Sequence, residues 1–226
     1  MRRVLSVDVP ARGRVRFEPS GPRQMTTSDK HKKVLFIAPV VAGLIAGAVL
    51  GLRWLRPSEF RLDVLPPGSA SSDFHLVDFD GHPRSLADYR GQVVVIFFGY
   101  VHCPDACPAE LFKLAQVMKR LGPASAHVQV LLITLDPKRD TLPILKGYVT
   151  YFDPRFVGLS GTEAQIDEAA ASFYVAHANV PVDGDYSAID HSTATYVLDA
   201  LGRRRLIGSM STSIDDFAHD IERLTH

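Results

Sequence analysis

From residue 73 onward the hydrophobic and polar positions of this chain fall into blocks whose period switches between two and about 3.6, the repeats of strands and helices. FHLVDFDGHPRSL alternates apolar and polar residues around Asp80 and Gly81, which predicts a short hairpin leading into a turn at LADYRG. QVVVIFFGY is a continuous β-branched and aromatic run, apolar on both faces, as befits a central strand of a sheet covered on both sides. In AELFKLAQVMKRL, Leu111, Leu114, Val117 and Leu121 keep the three-to-four spacing of one helix face. VQVLLITL predicts a second buried strand, LPILKGYVTYF a helix introduced by the polar turn DPKRDT, and FVGLSG a short strand. TEAQIDEAAASFY predicts a helix with Thr162 as N-cap. STATYVLD and RRLIGSM form a hairpin about Ala200 to Arg203, SIDDFAHDIERL closes the chain as a helix, and no internal repeat is present.

Alternating strands and helices, then an antiparallel hairpin and a closing helix, describe an α/β fold with a mixed sheet sandwiched by helices. The thioredoxin-like arrangement fits this order best. Its first core strand runs directly into a helix, and the chain's only two cysteines lie at that junction, in GYVHCPDACP.

The pattern before residue 73 is different. VLFIAPVVAGLIAGAVLGL, residues 34–52, has no charge, and at roughly 1.5 Å per residue such a helix spans a hydrocarbon layer of about 30 Å. We read it as one N-terminal transmembrane helix. Lys30, Lys32 and Lys33, with Arg12, Arg14, Arg16 and Arg23 further back, place the N-terminus in the cytoplasm, against a weaker opposing pull from Arg53 and Arg56. The body then lies in a periplasm-like compartment. Ala46-Gly47-Ala48 resembles a signal-peptide cleavage site, but the apolar run exceeds a usual signal core, which favours an uncleaved anchor. Met25 begins a conventional short leader, MTTSDKHKK. The expected organisation is a basic cytoplasmic tail (1–33), the anchor (34–52), a Pro- and Ser-rich linker (53–72) and one folded domain (73–226).

Charge follows the same division. The net charge of the 226 residues is zero, yet residues 1–56 hold 11 Lys and Arg against 3 Asp and Glu, leaving 14 basic and 22 acidic residues beyond them. An acidic body without a basic stripe excludes nucleic acid as the expected partner. Arg203, Arg204 and Arg205 are read as the polar tip of a hairpin.

Cys103 and Cys107 sit where a helix opens after a buried strand, with free N–H groups and the positive dipole end that favour a thiolate. Pro104 and Pro108 suit the lead-in and first turn. A spacing of four puts both sulfurs on one side, able to close a disulfide or share a metal, and an extracytoplasmic setting favours reactive thiols over buried inert ones. Dithiol redox enzymes more often separate their cysteines by two residues, and the proline such folds carry before the antiparallel strand is missing from IDHSTATYVLD. That stretch instead carries His191, expected at the strand's N-terminal end beside the end of QVVVIFFGY. Two thiolates and an imidazole form a soft set that accepts Cu(I) readily and Cu(II) with an added ligand, whereas structural zinc usually wants four protein ligands. His102 neighbours Cys103 but points away along an extended segment. His75, His82, His127, His177, His219 and His226 read as hairpin, loop or helix-surface residues, and Asp190 as an acceptor that orients the imidazole.

FFGYVHCPDACP, LDPKRDT, YFDPRFVGLSGT and DHSTATYVLDALGR, in this order behind a single anchor, resemble the Sco/SenC copper proteins of the respiratory chain. The resemblance covers nearly all of residues 73–226. It implies a membrane-tethered thioredoxin-like domain that binds one copper ion through Cys103, Cys107 and His191. It also implies a metallochaperone rather than an enzyme, serving the dinuclear copper centre of cytochrome c oxidase, with the oxidase's copper-bearing subunit as partner and an upstream copper donor. Val101 and Ala106 depart from frequent family residues without touching the ligands. Asp105, Asp136, Pro137, Arg139 and Asp140 match family motifs, but the last four read equally as a turn and helix cap and are not assigned as ligands. The rival readings are a thiol-disulfide reductase acting on the oxidase cysteines, a peroxide scavenger, and a redox or copper sensor.

Overall fold

Strand β4 (Val93–Gly99) runs through the middle of an eight-stranded sheet, and each of its seven residues is buried. The computed structural model describes residues 60–66, 73–181 and 187–225 together with Gly43 and Gly47; for residues 179–181, 187, 188, 190 and 191 it describes the backbone. Gly43 and Gly47 are helical and exposed, while the rest of the 34–52 stretch lies outside the described residues. No helix among the described residues is long and apolar enough to cross a membrane.

The sheet's strands are β1 (Asp63–Val64), β2 (His75–Asp78), β3 (Pro83–Ser85), β4, β5 (Val128–Thr134), β6 (Val157–Ser160), β9 (Thr195–Leu198) and β10 (Arg204–Gly208), ordered β1-β10-β9-β4-β5-β6-β2-β3. β4 pairs in parallel with β5, and β5 with β6; β9 runs antiparallel to β4, with Thr195 opposite Phe97. Four helices complete the body: α1 (Ala106–Leu121), α2 (Leu142–Phe152), α3 (Glu163–Ser172) and α4 (Ile214–Leu224). This is the thioredoxin-like α/β arrangement expected from the order of elements.

Local chemistry sets the boundaries. Thr162 caps α3 as anticipated, accepting the Gln165 N–H while the Gln165 side chain takes the Thr162 N–H. Ser213 caps α4 in the same way through Asp216 N–H. Phe98, Phe173 and Tyr196 cluster in the core with centroids 5.3–6.4 Å apart, both phenylalanines meeting Tyr196 edge to face.

Three features differ from expectation. Within the stretch read as linker, Asp63 and Val64 pair with β10, and both Arg61 and Leu62 donate their N–H groups at 2.7 Å to Asp220 Oδ2; two residues are too few to show a strand period. A separate two-stranded ribbon, β7 (His177–Pro181) and β8 (Ser187–His191), stands apart from the main sheet. His191 therefore ends β8, four residues before β9 begins, instead of opening the antiparallel strand. Finally, Arg204 is buried, its guanidinium lying over the Phe173 and Tyr174 rings at 5.5 and 5.2 Å. Arg203 and Arg205 both pair with Asp199, so the arginine triplet is tied into the fold.

Candidate metal centre

β4 ends at Gly99, and α1 begins seven residues later at Ala106. Asp105 occupies the N-cap position of α1 without a side-chain capping bond. The sulfur of Cys103 takes that role: the Cys107 N–H points at Cys103 Sγ at 3.3 Å. A helix terminus that would otherwise seek an oxygen acceptor is thus aimed at a thiol, the arrangement that stabilises negative charge on sulfur.

The two thiols are not joined by a disulfide and differ in environment. Cys103 is half-buried, whereas Cys107 has no exposed surface. Its Sγ lies so close to the end of β4 that a Cβ built on Gly99 would stand 2.9 Å from it. Glycine at 99 is what lets the sulfur settle against the strand. Burial pushes the Cys107 thiol up, and the neighbouring Cys103 sulfur adds to the shift.

Tyr100 joins this pair to the ribbon. It is buried, and its Oη accepts the Ile189 N–H at 3.3 Å; burial raises its hydroxyl, and the Cys103 thiol adds to the shift. Ile189 stands two residues before His191 on β8 and is itself buried; alternation along a strand puts positions 189 and 191 on one face. Across the ribbon His191 is registered with His177, and Asp190 with Ala178. The side chains of Asp190 and His191 lie outside the described residues. The structure thus brings Cys103 and Cys107 together and anchors the strand that carries His191 to the same loop.

Asp140 holds the loop from the other side. It has no exposed surface, and its Oδ2 accepts the Thr134 hydroxyl at 2.6 Å and the Val101 N–H at 3.0 Å. Burial raises its carboxyl above the usual range against the pull of these bonds. One turn beyond Cys107, the buried Glu110 accepts the Thr195 hydroxyl at 2.8 Å, which fixes α1 to the start of β9.

Gly99, Tyr100 and the ribbon were not read from the sequence. HANVP and SAIDH around VDGDY do carry a hairpin signal, two alternating segments about an Asp-Gly turn. For Gly99 and Tyr100 no local signal exists, because each acts through partners remote along the chain.

The SCO1/SenC family profile matches residues 64–226. A mitochondrial SCO2 homolog of Bos taurus is 38% identical over 213 residues, covering 91% of this chain and 77% of the relative; the corresponding Homo sapiens protein is 36% identical over 225 residues, covering 93% and 82%. Among solved structures, Bradyrhizobium japonicum ScoI with copper bound is 34% identical with a TM-score of 0.63, covering 67% of this chain and 97% of that one. Apo Sco1 of Thermus thermophilus is 32% identical with a TM-score of 0.64, covering 74% and 95%. With two reduced cysteines at the strand-to-helix junction of a thioredoxin-like sheet, and a family match that spans the folded body, this chain belongs to the SCO1/SenC family.

Proposed function

We propose that this chain is a copper metallochaperone that binds one ion through Cys103, Cys107 and His191 and hands it to the copper-bearing subunit of cytochrome c oxidase. The observation that carries the reading is the reduced dithiol at the N-terminus of α1, with Cys107 N–H directed at Cys103 Sγ, in a chain 34% identical to a ScoI structure that holds copper. Two thiolates and one imidazole match a soft ion, and an acceptor at Asp190 would fix the imidazole's tautomer. The ion is cargo. Holding it requires both thiols reduced, and closing the disulfide removes the two sulfur ligands together, so redox state and loading are coupled.

The chemistry also fixes where the protein would work. A helix at residues 34–52 anchors it in the inner membrane with the N-terminus cytoplasmic, and the folded domain, which includes the β1 segment ahead of residue 73, lies on the far side with the receiving copper site. The acidic body steers toward a basic partner face.

One observation favours a second reading, thiol-disulfide reduction of the oxidase cysteines: the pair is asymmetric, with Cys103 half-buried and Cys107 inaccessible, as in dithiols with one attacking and one resolving sulfur. Copper stoichiometry and ligand spectroscopy on the chain, wild type against His191→Ala, separate the two. The chaperone reading expects one copper lost with the histidine, and oxidase assembly lost with it, while the thiols still cycle. Assembly retained without bound copper would establish the reductase.

A further inference from the structure

Beside the cysteine loop, three polar side chains meet with unspent coordinating capacity. Asp140 is fully buried, and while its Oδ2 is doubly bonded, its Oδ1 makes no hydrogen bond. Facing it at 3.4 Å is His102 Nδ1, also buried and without a hydrogen bond. Asp136 completes the group: one ligand atom from each of the three lies within 4.8 Å of the others, the only such His/Cys/Asp/Glu cluster among the described residues. Asp136 Oδ2 is paired with the Arg139 guanidinium, and its Oδ1 receives the Arg139 N–H at a long 3.4 Å.

A buried carboxylate oxygen and a buried ring nitrogen in contact at 3.4 Å without a hydrogen bond are costly, since each has given up water without a full replacement. The nearby guanidinium pairs with Asp136, and among the described residues the ion-pair contact of Asp140 is with a partly exposed imidazole. A divalent cation between them removes both deficits. One nitrogen and two carboxylate oxygens form a borderline-to-hard set, suited to zinc or manganese and poorly suited to Cu(I). Asp136 also lines a cleft with Glu163, Asp167 and His177, so the group borders solvent on that side.

We propose that His102, Asp136 and Asp140 form a site for a divalent first-row cation of the zinc type, next to the thiol pair and independent of it. The ion's consequence is mechanical. Asp140 also accepts the Val101 N–H, so a cation on its free oxygen would stiffen the loop that presents Cys103.

The test uses the full chain with Cys103 and Cys107 oxidised to the disulfide, so that thiolates cannot compete, and Zn²⁺ as probe. Equilibrium dialysis is expected to find one Zn²⁺ per wild-type chain. His102→Asn and Asp140→Asn should each weaken it at least about tenfold, the least that loss of a ligand should cost, while His191→Ala retains it. Zn²⁺ should raise the unfolding temperature of wild type but not of Asp140→Asn. No Zn²⁺ bound by oxidised wild type would reduce the cluster to a plain ion pair and overturn the proposal, as would undiminished binding by Asp140→Asn. If that variant does not fold, His102→Asn decides by the same criterion.

Discussion

Tyr100 Oη accepts the backbone N–H of Ile189 at 3.3 Å, a single bond across 89 residues that joins the cysteine loop to strand β8. Tyr100→Phe keeps the buried ring and removes only the oxygen. The Ile189 N–H is then left unpaired, at a cost of about 1–3 kcal/mol, and the cysteine loop loses this tie to β8. The expected result is a folded protein that binds copper more weakly, with a shifted thiolate-to-Cu(II) absorption band. An unchanged band and affinity would remove Tyr100 from the site.

Gly99 is constrained by its contact with the sulfur. A methyl at 99 would stand 2.9 Å from both Cys107 Sγ and Phe97 Cε1, two groups with no exposed surface and no room to retreat. Gly99→Ala should therefore destabilise the fold by about 1–3 kcal/mol, the usual range for overpacking. It should also slow disulfide closure by displacing one sulfur. Denaturant unfolding and a timed thiol assay measure the two effects, and a stable variant with wild-type closure would show that the strand end yields.

Glu110 and Lys113 form a pair beneath the site. Glu110 is fully buried, with Lys113 Nζ 2.8 Å from Oε2; the same ammonium reaches the carbonyls of Ser209 and Met210. Lys113→Met strands a buried carboxylate, which should cost about 3–5 kcal/mol. Glu110→Gln keeps an oxygen for the Thr195 hydroxyl and leaves the ammonium its two carbonyls, so it should cost clearly less. Urea midpoints of the two variants test the order, and equal losses would mean that the charge is compensated elsewhere.

The acid limb of the stability curve has an identifiable contributor in Asp153. The Arg155 side chain binds it through Nη2 at 2.6 Å and Nε at 2.9 Å, and this pairing holds its carboxyl below the usual carboxylate range despite burial. A folded-state value below the unfolded one means stabilisation that is present above about pH 4 and lost as pH falls through the folded value. Asp153→Asn should lower the unfolding temperature near neutrality and flatten its fall between about pH 5 and pH 2. Thermal scans across that range check it, and an acid slope identical to wild type would assign the loss to other carboxylates.

What could be read from the chain was what local pattern encodes. The run from Val93 to Gly99, the amphipathic helix through Leu111 and Leu121 and the Thr162 cap each depend on residues within a few positions, and the structure places them where expected. The two cysteines were legible for the same reason, since strand-to-helix geometry alone brings them together. Contacts set by tertiary packing were not. Asp140 reaches Val101 over 39 residues and Tyr100 reaches Ile189 over 89, and neither leaves a periodic trace. Arg204 is the sharpest case: two flanking arginines made it look solvated, yet aromatic rings supplied by the segment after α3 bury it.

The unequal burial of the two thiols orders their reactivity. Alkylation needs access and thiolate, and Cys107 lacks both, having no exposed surface and a thiol that burial pushes upward. Cys103 is half-buried, so its sulfur is within reach of the reagent. Iodoacetamide should therefore label Cys103 of the reduced native protein first, reaching Cys107 only on unfolding. Peptide mapping of the label with and without denaturant measures this. Bound copper should abolish the native labelling, because the reacting sulfur would then be a ligand. Equal native labelling of both cysteines would show that α1 frays open at its first turn, and would give Cys107 the access that a resolving thiol lacks at rest.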